Sequence, residues 1–218
     1  MKIILKKLEQ ELKKIFHGEN SGHDINHLKR VLNLALHIQK KEGGDKLVIA
    51  ISAFLHDVHR ITEKETGKYC EPRDSLPKII KLLDNVNLSE EQKKRILHCI
   101  EFHEEYNFSS GGKSVKDKET LIVQDADNLD AIGAVGIARA FAFGGANNIP
   151  IWVPELPIKI TNFDEAKRDL SEIHHFYNKL LRLKDNMNTK TAKKMALERH
   201  NFMLKFLKEF KNEWKGEK

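Results

Sequence analysis

Ala50-Ile51-Ser52-Ala53-Phe54-Leu55-His56-Asp57-Val58-His59 runs without a charge from position 50 to position 55 and then meets a histidine and an aspartate. Val48, Ile51, Phe54 and Leu55 keep helical spacing, and the stretch is apolar on most sides, which places its helix at the centre of the fold. An ionised aspartate at the end of a buried run is costly unless it is paired or bound to a cation. Successive side chains on a helix project about 100° apart. His56 and Asp57 can therefore grip one ion lying between their directions, near a helix end. Mixed imidazole and carboxylate donors suit Mn, Fe, Ni, Zn or Mg rather than a soft thiolate metal.

The flanking sequence is helical too. Ile4, Leu5, Leu8, Leu12, Ile15 and Phe16 form one stripe, and Leu28, Val31, Leu32, Ala35 and Ile38 another, at i, i+3, i+4 spacing. Gly43-Gly44 closes one helix and Asp45 caps the next. Ser89-Glu90-Glu91-Gln92 is a capping box opening a helix through about Phe102. Asp164 is expected to cap a long helix through about Leu183, and Thr189 another through about Trp214, with Asp185-Asn186-Met187-Asn188 breaking the pattern between them. Loops are expected over Tyr106–Asp117 and Gly144–Asn162. The second, with Pro150, Pro154 and Pro157, is long enough to be read as a lid. Strand alternation is scarce, so the expected class is all-α. The chain reads as one domain over 1–218, with a core over about 20–135 and a C-terminal helical extension over about 160–214.

Composition narrows the function classes. With 218 residues, 40% of them hydrophobic, the chain can enclose a core without staples. Cys70 and Cys99 are too few for a disulfide scaffold or a Cys-rich metal site, and fit a reducing cytoplasm. No apolar run is long enough to span a membrane, and MKIILKKLEQELKK lacks the pattern of a signal peptide. The net charge of +6, from 38 Lys and Arg against 32 Asp and Glu, reads as solvated helix faces. Nucleic acid is not expected as a partner, because no aromatic and basic residues interleave and no zinc-finger or RNA-binding signature occurs. Gly112-Lys113-Ser114 is similar to the end of a phosphate loop, but the glycine that motif needs is replaced by Asn107 and no strand-like run precedes it.

The outlier is histidine, at 11 residues. Beside His56-Asp57-Val58-His59 stand His23-Asp24-Ile25-Asn26-His27, His98 with His103, and Gln124-Asp125-Ala126-Asp127-Asn128-Leu129-Asp130. Asp127 lies near Val123 and Ile132 on an apolar helix and is a further buried candidate. Asp125 and Asp130 can diverge from it as caps or salt bridges.

These stretches resemble the HD superfamily of metal-dependent phosphohydrolases, in its small bacterial YedJ-type branch. The resemblance rests on His23 through Val31, Phe54-Leu55-His56-Asp57, Gln124 through Ala142, Phe176 through Leu181 and Ala196-Leu197-Glu198-Arg199, and so spans nearly the whole chain. It implies an all-α HD-domain helical bundle, here with additional C-terminal helices. It also implies one divalent metal, Mn first and Fe, Ni, Zn or Mg as alternatives, held by His27, His56, Asp57 and Asp127. His59 stands where related sequences often carry Asp or Gly. It is open as an extra ligand, a supporting group or a polar residue at the helix exit.

Other residues are assigned with their bland readings alongside. His103, at a helix end, is read as a phosphate contact or proton donor, and His98 as a surface residue. Asp24 either caps a helix or orients a ligand histidine; the role of His23 stays open. Arg30, on the face of His27, either binds a substrate phosphate or pairs with a metal-side aspartate. Lys68, Arg73 and Lys78 are candidate phosphate contacts with solvated-charge readings. Arg139 is read as a buried or half-buried ion-pair partner, and His174, His175 and His200 as structural.

The resemblance implies hydrolysis of a phosphoester or phosphoanhydride in a small phosphorylated substrate, a nucleotide, with Asp57 or a nearby acid taking the proton and Arg30 and His103 stabilising phosphoryl charge. The alternative is a metal-containing, nucleotide-binding regulatory module without turnover. A homodimer is possible.

Overall fold

The computed structural model describes residues 1–109, 115–160, 162–167 and 169–217. The phosphate-loop-like Gly112-Lys113-Ser114 lies outside them. The all-α expectation holds: among the described residues there is no strand, only an isolated bridge between Ser109 and Phe163. The helices are α1 (Lys2–Ile15), α2 (Ile25–Glu42), α3 (Lys46–Leu55), α4 (Val58–Thr66), α5 (Leu76–Asp84), α6 (Glu90–Glu101), α7 (Lys118–Asp130), α8 (Gly133–Ala146), α9 (Glu172–Asn178) and α10 (Lys190–Trp214). Short 3-10 turns cover Pro72–Ser75 and Leu180–Asn186. No single helix is long and apolar enough to cross a membrane.

α3 is central, as its sequence requires: every residue from Val48 to Leu55 is buried. Val48, Ile51, Phe54 and Leu55 join a hydrophobic cluster with α1, α5 and α6, while Ile49 and Ala53 face a second cluster built on α2, α7 and α8–α10. Caps set the boundaries. Asp45 accepts from the Leu47 and Val48 amides, Ser89 and Gln92 close the capping box of α6, and Thr189 caps α10.

α7 and α8 meet at 73°. The turn is tight enough that a Cβ on Gly136 would stand 2.2 Å from the Ala131 carbonyl oxygen, so only glycine fits there.

Two sequence expectations are corrected. The helix expected over 164–183 does not form. Asp164 instead caps a turn at Ala166, α9 starts from a Ser171 cap, and a 3-10 turn follows it. Long-range pairing draws this segment off a helical path: Glu165 binds Arg60 and Lys179, and Asp169 binds His175 and Asn178. The loop expected from Gly144 begins only after Ala146, where α8 ends. Its start is tied down, with Pro150 and Ile151 carbonyls accepting from Glu172 and Ile173, and Trp152 packs against Phe210 and Trp214.

Candidate metal centre

The break between α3 and α4 brings His56 and Asp57 together. His56 ends α3, and Asp57, at φ −96° and ψ 14°, starts α4. His27 arrives from the first turn of α2 and Asp127 from α7. His27 Nε2 stands 3.2 Å from His56 Nε2 and 3.4 Å from Asp57 Oδ2. Asp127 Oδ1 is 3.5 Å from both imidazole Nε2 atoms. Donors about 2.0–2.2 Å from a metal are spaced in this range around it. All four side chains are buried or nearly so.

The imidazoles are set by one device. The Nδ1 of His56 donates to the Ala53 carbonyl at 2.9 Å, that of His59 to His56 at 3.3 Å, and that of His103 to Ile100 at 2.7 Å. Each acceptor lies three residues upstream, and for His56 and His103 it lies in the last turn of a helix, where carbonyls lack helical partners. A carbonyl only accepts, so each Nδ1 carries the proton and each Nε2 turns inward. His27 uses a carboxylate for the same purpose, its Nδ1 lying 2.8 Å from Asp130 Oδ2.

Asp130 is fully engaged. Arg30 grips it with Nε and Nη2 at 2.8 and 3.0 Å, and Arg139 adds a contact at 3.1 Å. Burial opposes its charge, but His27 and Arg30 hold the carboxyl well below the usual range. Of the two sequence readings of Arg30, the geometry shows the pairing with an aspartate, Asp130, which holds His27. Arg139 is the half-buried ion-pair partner expected. The Asp24 carboxylate caps α2 at the His27 amide, and His23 Nδ1 lies 2.7 Å from Asp57 Oδ2.

The electrostatics favour a cation between the donors. Burial disfavours charge on His56, yet Asp127 and Asp57 outweigh it and raise its pKa to about 9. Burial likewise disfavours charge on Asp127, but His56 and His27 hold its carboxyl well below the usual range. His103 behaves differently: burial outweighs Glu104 and lowers it to about 4, which keeps the ring neutral near pH 7.

A cavity opens from this centre. Asp127, His23, Arg60 and Arg139 line it, Lys167, His175 and Lys179 supply further positive or polar groups, and Phe143, Ile149 and Phe163 form an apolar wall. A neighbouring cavity shares His23, Arg60 and Phe143 and includes Lys68. Arg73 lines neither; it is exposed and paired with Glu71. Lys78 pairs with Glu65, and His98, also exposed, with Asp117. Sequence reasoning missed Arg60, Glu104, Glu165 and Lys179. The cue for two of them is adjacency, since Arg60 follows His59 and Glu104 follows His103.

Comparison with known proteins gives the family. The HD domain family matches residues 24–132. The uncharacterized protein YpgQ of Bacillus subtilis is 38% identical over 205 residues, covering 93% of this chain and 89% of YpgQ. A Lactobacillus plantarum crystal structure superposes with a TM-score of 0.82 at 31% identity, covering 99% of both chains. A Bacillus thuringiensis HD-superfamily hydrolase gives 0.71 at 36% identity, covering 98% and 97%. A crystal structure of YpgQ in complex with ADP gives 0.67 at 33% identity, covering 94% and 97%. The buried His and Asp cluster, the helical frame that presents it and these relatives converge: the chain belongs to the HD domain family and is a hydrolase of the HD superfamily.

Proposed function

We propose that this hydrolase cleaves a phosphoester or phosphoanhydride bond in a nucleotide, using a divalent metal, Mn first, held by His27, His56, Asp57 and Asp127. The observation that carries the reading is the grouping of His27, His56 and Asp127 donor atoms at 3.2–3.5 Å, with Asp57 Oδ2 3.4 Å from His27 Nε2, beside a cavity that Asp127 lines and that joins cations to an apolar wall. The ADP complex of YpgQ supports a nucleotide as ligand.

Such an ion, when bound, lowers the pKa of its water and polarises a phosphoryl oxygen. The chain supplies the rest. His27 is held in the required tautomer by Asp130, and His56 by its own helix end. Asp57 is a better ligand than base: burial opposes its charge, but His23 outweighs that and holds its carboxyl well below the usual range. His103, neutral and with Nε2 bare, is placed to accept the proton of an attacking water. Arg139 and Lys179 border the cavity where phosphate charge arrives, Lys167 is an exposed cation at its rim, and Lys68 serves the neighbouring space. Phe143, Ile149 and Phe163 offer a surface for a base.

The test is a panel of nucleoside mono-, di- and triphosphates with Mn-loaded protein and identification of products. Orthophosphate marks a phosphatase, and pyrophosphate marks cleavage between the α and β phosphates of a triphosphate. Binding of nucleotides with no product from any of them would overturn the hydrolytic reading and leave a regulatory module.

A further inference from the structure

Arg60, Glu165 and Lys179 meet on the wall of the cavity, and all three line it. Glu165 Oε1 accepts from Arg60 Nη2 at 3.0 Å and from Lys179 Nζ at 3.1 Å, and Oε2 accepts from the same Nζ at 2.9 Å. The Glu165 side chain is 21% exposed and the two cations 12% each, so solvent screens the contact little. Arg60 has a second carboxylate on the same nitrogen, that of Glu104. Lys179 pairs with no other carboxylate among the described residues. Its ammonium stands 4.9 Å from the Tyr106 ring centre and 5.0 Å from that of Phe163, which orient it without neutralising it. Glu165 and Lys179 both lie beyond residues 24–132, the part of the chain that matches the family.

We infer that Arg60 and Lys179 form a seat for a phosphoryl group of the substrate, and that Glu165 occupies this seat in the resting protein as an internal stand-in. The geometry is that of an anion site. Two cations converge on the two oxygens of one group, as they do on a clamped phosphoryl group. A brace would be fixed at both ends by regular structure, and Glu165 is not. It sits on a turn held by the Ala166 and Lys167 amides, which donate to the Asp164 side chain and carbonyl. Its side chain can therefore leave the cations without breaking a helical hydrogen bond. It also has somewhere to go, because Glu165 and Arg60 line the neighbouring cavity as well, together with Lys68.

The stand-in acts on specificity. A carboxylate brings one negative charge to the seat, whereas a terminal phosphate brings about two. A terminal phosphate displaces Glu165 more readily than a phosphodiester, which brings only one. Weak anions are thus rejected by a competitor built into the chain. This rests on the phosphoryl reading of the cavity proposed above.

The test is isothermal titration of metal-depleted protein with inorganic phosphate, in chelator at fixed ionic strength, with thermal melts to confirm folding. Glu165→Gln and Glu165→Ala should each bind phosphate at least tenfold more tightly than the wild type. Two substitutions allow the measurement to stand if one of them misfolds. Adding Lys179→Met to either should abolish the gain. Asp169→Asn removes a carboxylate from the same cavity but not from the seat, and should change phosphate affinity less than threefold. Unchanged or weaker binding in both Glu165 variants overturns the stand-in. An equal gain in Asp169→Asn, or a gain that survives Lys179→Met, overturns it too, by showing a general charge effect. No metal is present, so the result is independent of the nucleotide panel. The seat can fail while nucleotides are cleaved, and nucleotides can go uncleaved while phosphate still displaces Glu165.

Discussion

Two buried carboxylate nodes lie on opposite sides of His27 and Asp57, and they are finished to different degrees. Around Asp130 everything is matched: Arg30, Arg139 and His27 Nδ1 all reach its two oxygens. Around Asp57 and Glu104 it is not: the Nε2 atoms of His59 and His103, Nε of Arg60 and Oε2 of Glu104 are buried without a hydrogen bond. A saturated polar node fixes geometry, whereas an unsaturated one holds valences open for something to bind. The first serves the second, since Asp130 fixes the tautomer that turns His27 Nε2 toward the proposed metal position.

The largest stability effect should come from breaking the saturated node. Asp130→Ala leaves two arginines facing each other, and arginine cannot shed its proton. Removing one partner of a buried ion pair costs about 3–5 kcal/mol, moderated here because Arg30 is partly exposed. Urea unfolding should show that loss, and Mn affinity should fall by about 10–100-fold because His27 loses its orienting partner. Unchanged stability would show that Asp130 is no brace.

Asp127→Asn should give the reverse signature. Its neighbours are imidazoles, which can give up a proton when their carboxylate is gone, so the fold loses less than in Asp130→Ala. A proposed ligand is lost outright, so Mn affinity should drop by more than the roughly 100-fold that marks the upper range for supporting residues. Isothermal titration with Mn²⁺ beside thermal melts of both variants separates the signatures. Equal losses of stability would erase the distinction between the nodes.

The unsaturated node also makes metal-free stability depend on pH. The folded-state pKa of His56 is raised from 6.5 to about 9. A raised pKa contributes stability that is complete below the unfolded value and is lost as pH rises through the folded one. Metal-depleted protein should therefore weaken as pH rises from about 6.5 to 9. Mn²⁺ replaces that proton, so its binding should strengthen over the same window. Melting curves with chelator and with Mn²⁺ should diverge as pH rises; parallel curves would mean that His56 is not at the metal.

The unsaturated side was partly legible in the sequence and the saturated side less so. His56-Asp57 stood out because a charge at the end of a buried helix needs a partner, and Asp127 for the same reason. Glu104 had no cue beyond its neighbour His103, because its significance comes from Arg60, which is 44 positions away. The misread helix over 164–183 fails for a similar reason: Glu165 answers to Arg60 across 105 positions, a distance that local periodicity does not carry. Gly144-Gly145 read as the start of a loop, but α8 continues through it. A Cβ at Gly144 would stand 2.6 Å from the Glu172 side chain, so that glycine serves close packing rather than a turn.

Asp125 gives the comparison a third case on the same helix, and the smallest expected effect. It faces α10 rather than the proposed metal centre: Oδ1 accepts from the Asn188 backbone and side-chain nitrogens at 2.7 and 3.0 Å, and Oδ2 from the Thr189 amide at 2.8 Å. It thus anchors the start of α10 from α7, as a cap supplied from a distance. Asp125→Ala removes these acceptors but strands no arginine, and Asn188 and Thr189, at the start of α10, are only half-buried. The cost should be about 1–2 kcal/mol, in the range for a lost helix cap. Hydrogen exchange should quicken at Asn188 and Thr189 first, with Mn affinity unchanged. A fall in Mn affinity would mean that α10 also positions the proposed metal centre, and that Asp125, Asp127 and Asp130 act as one unit rather than three.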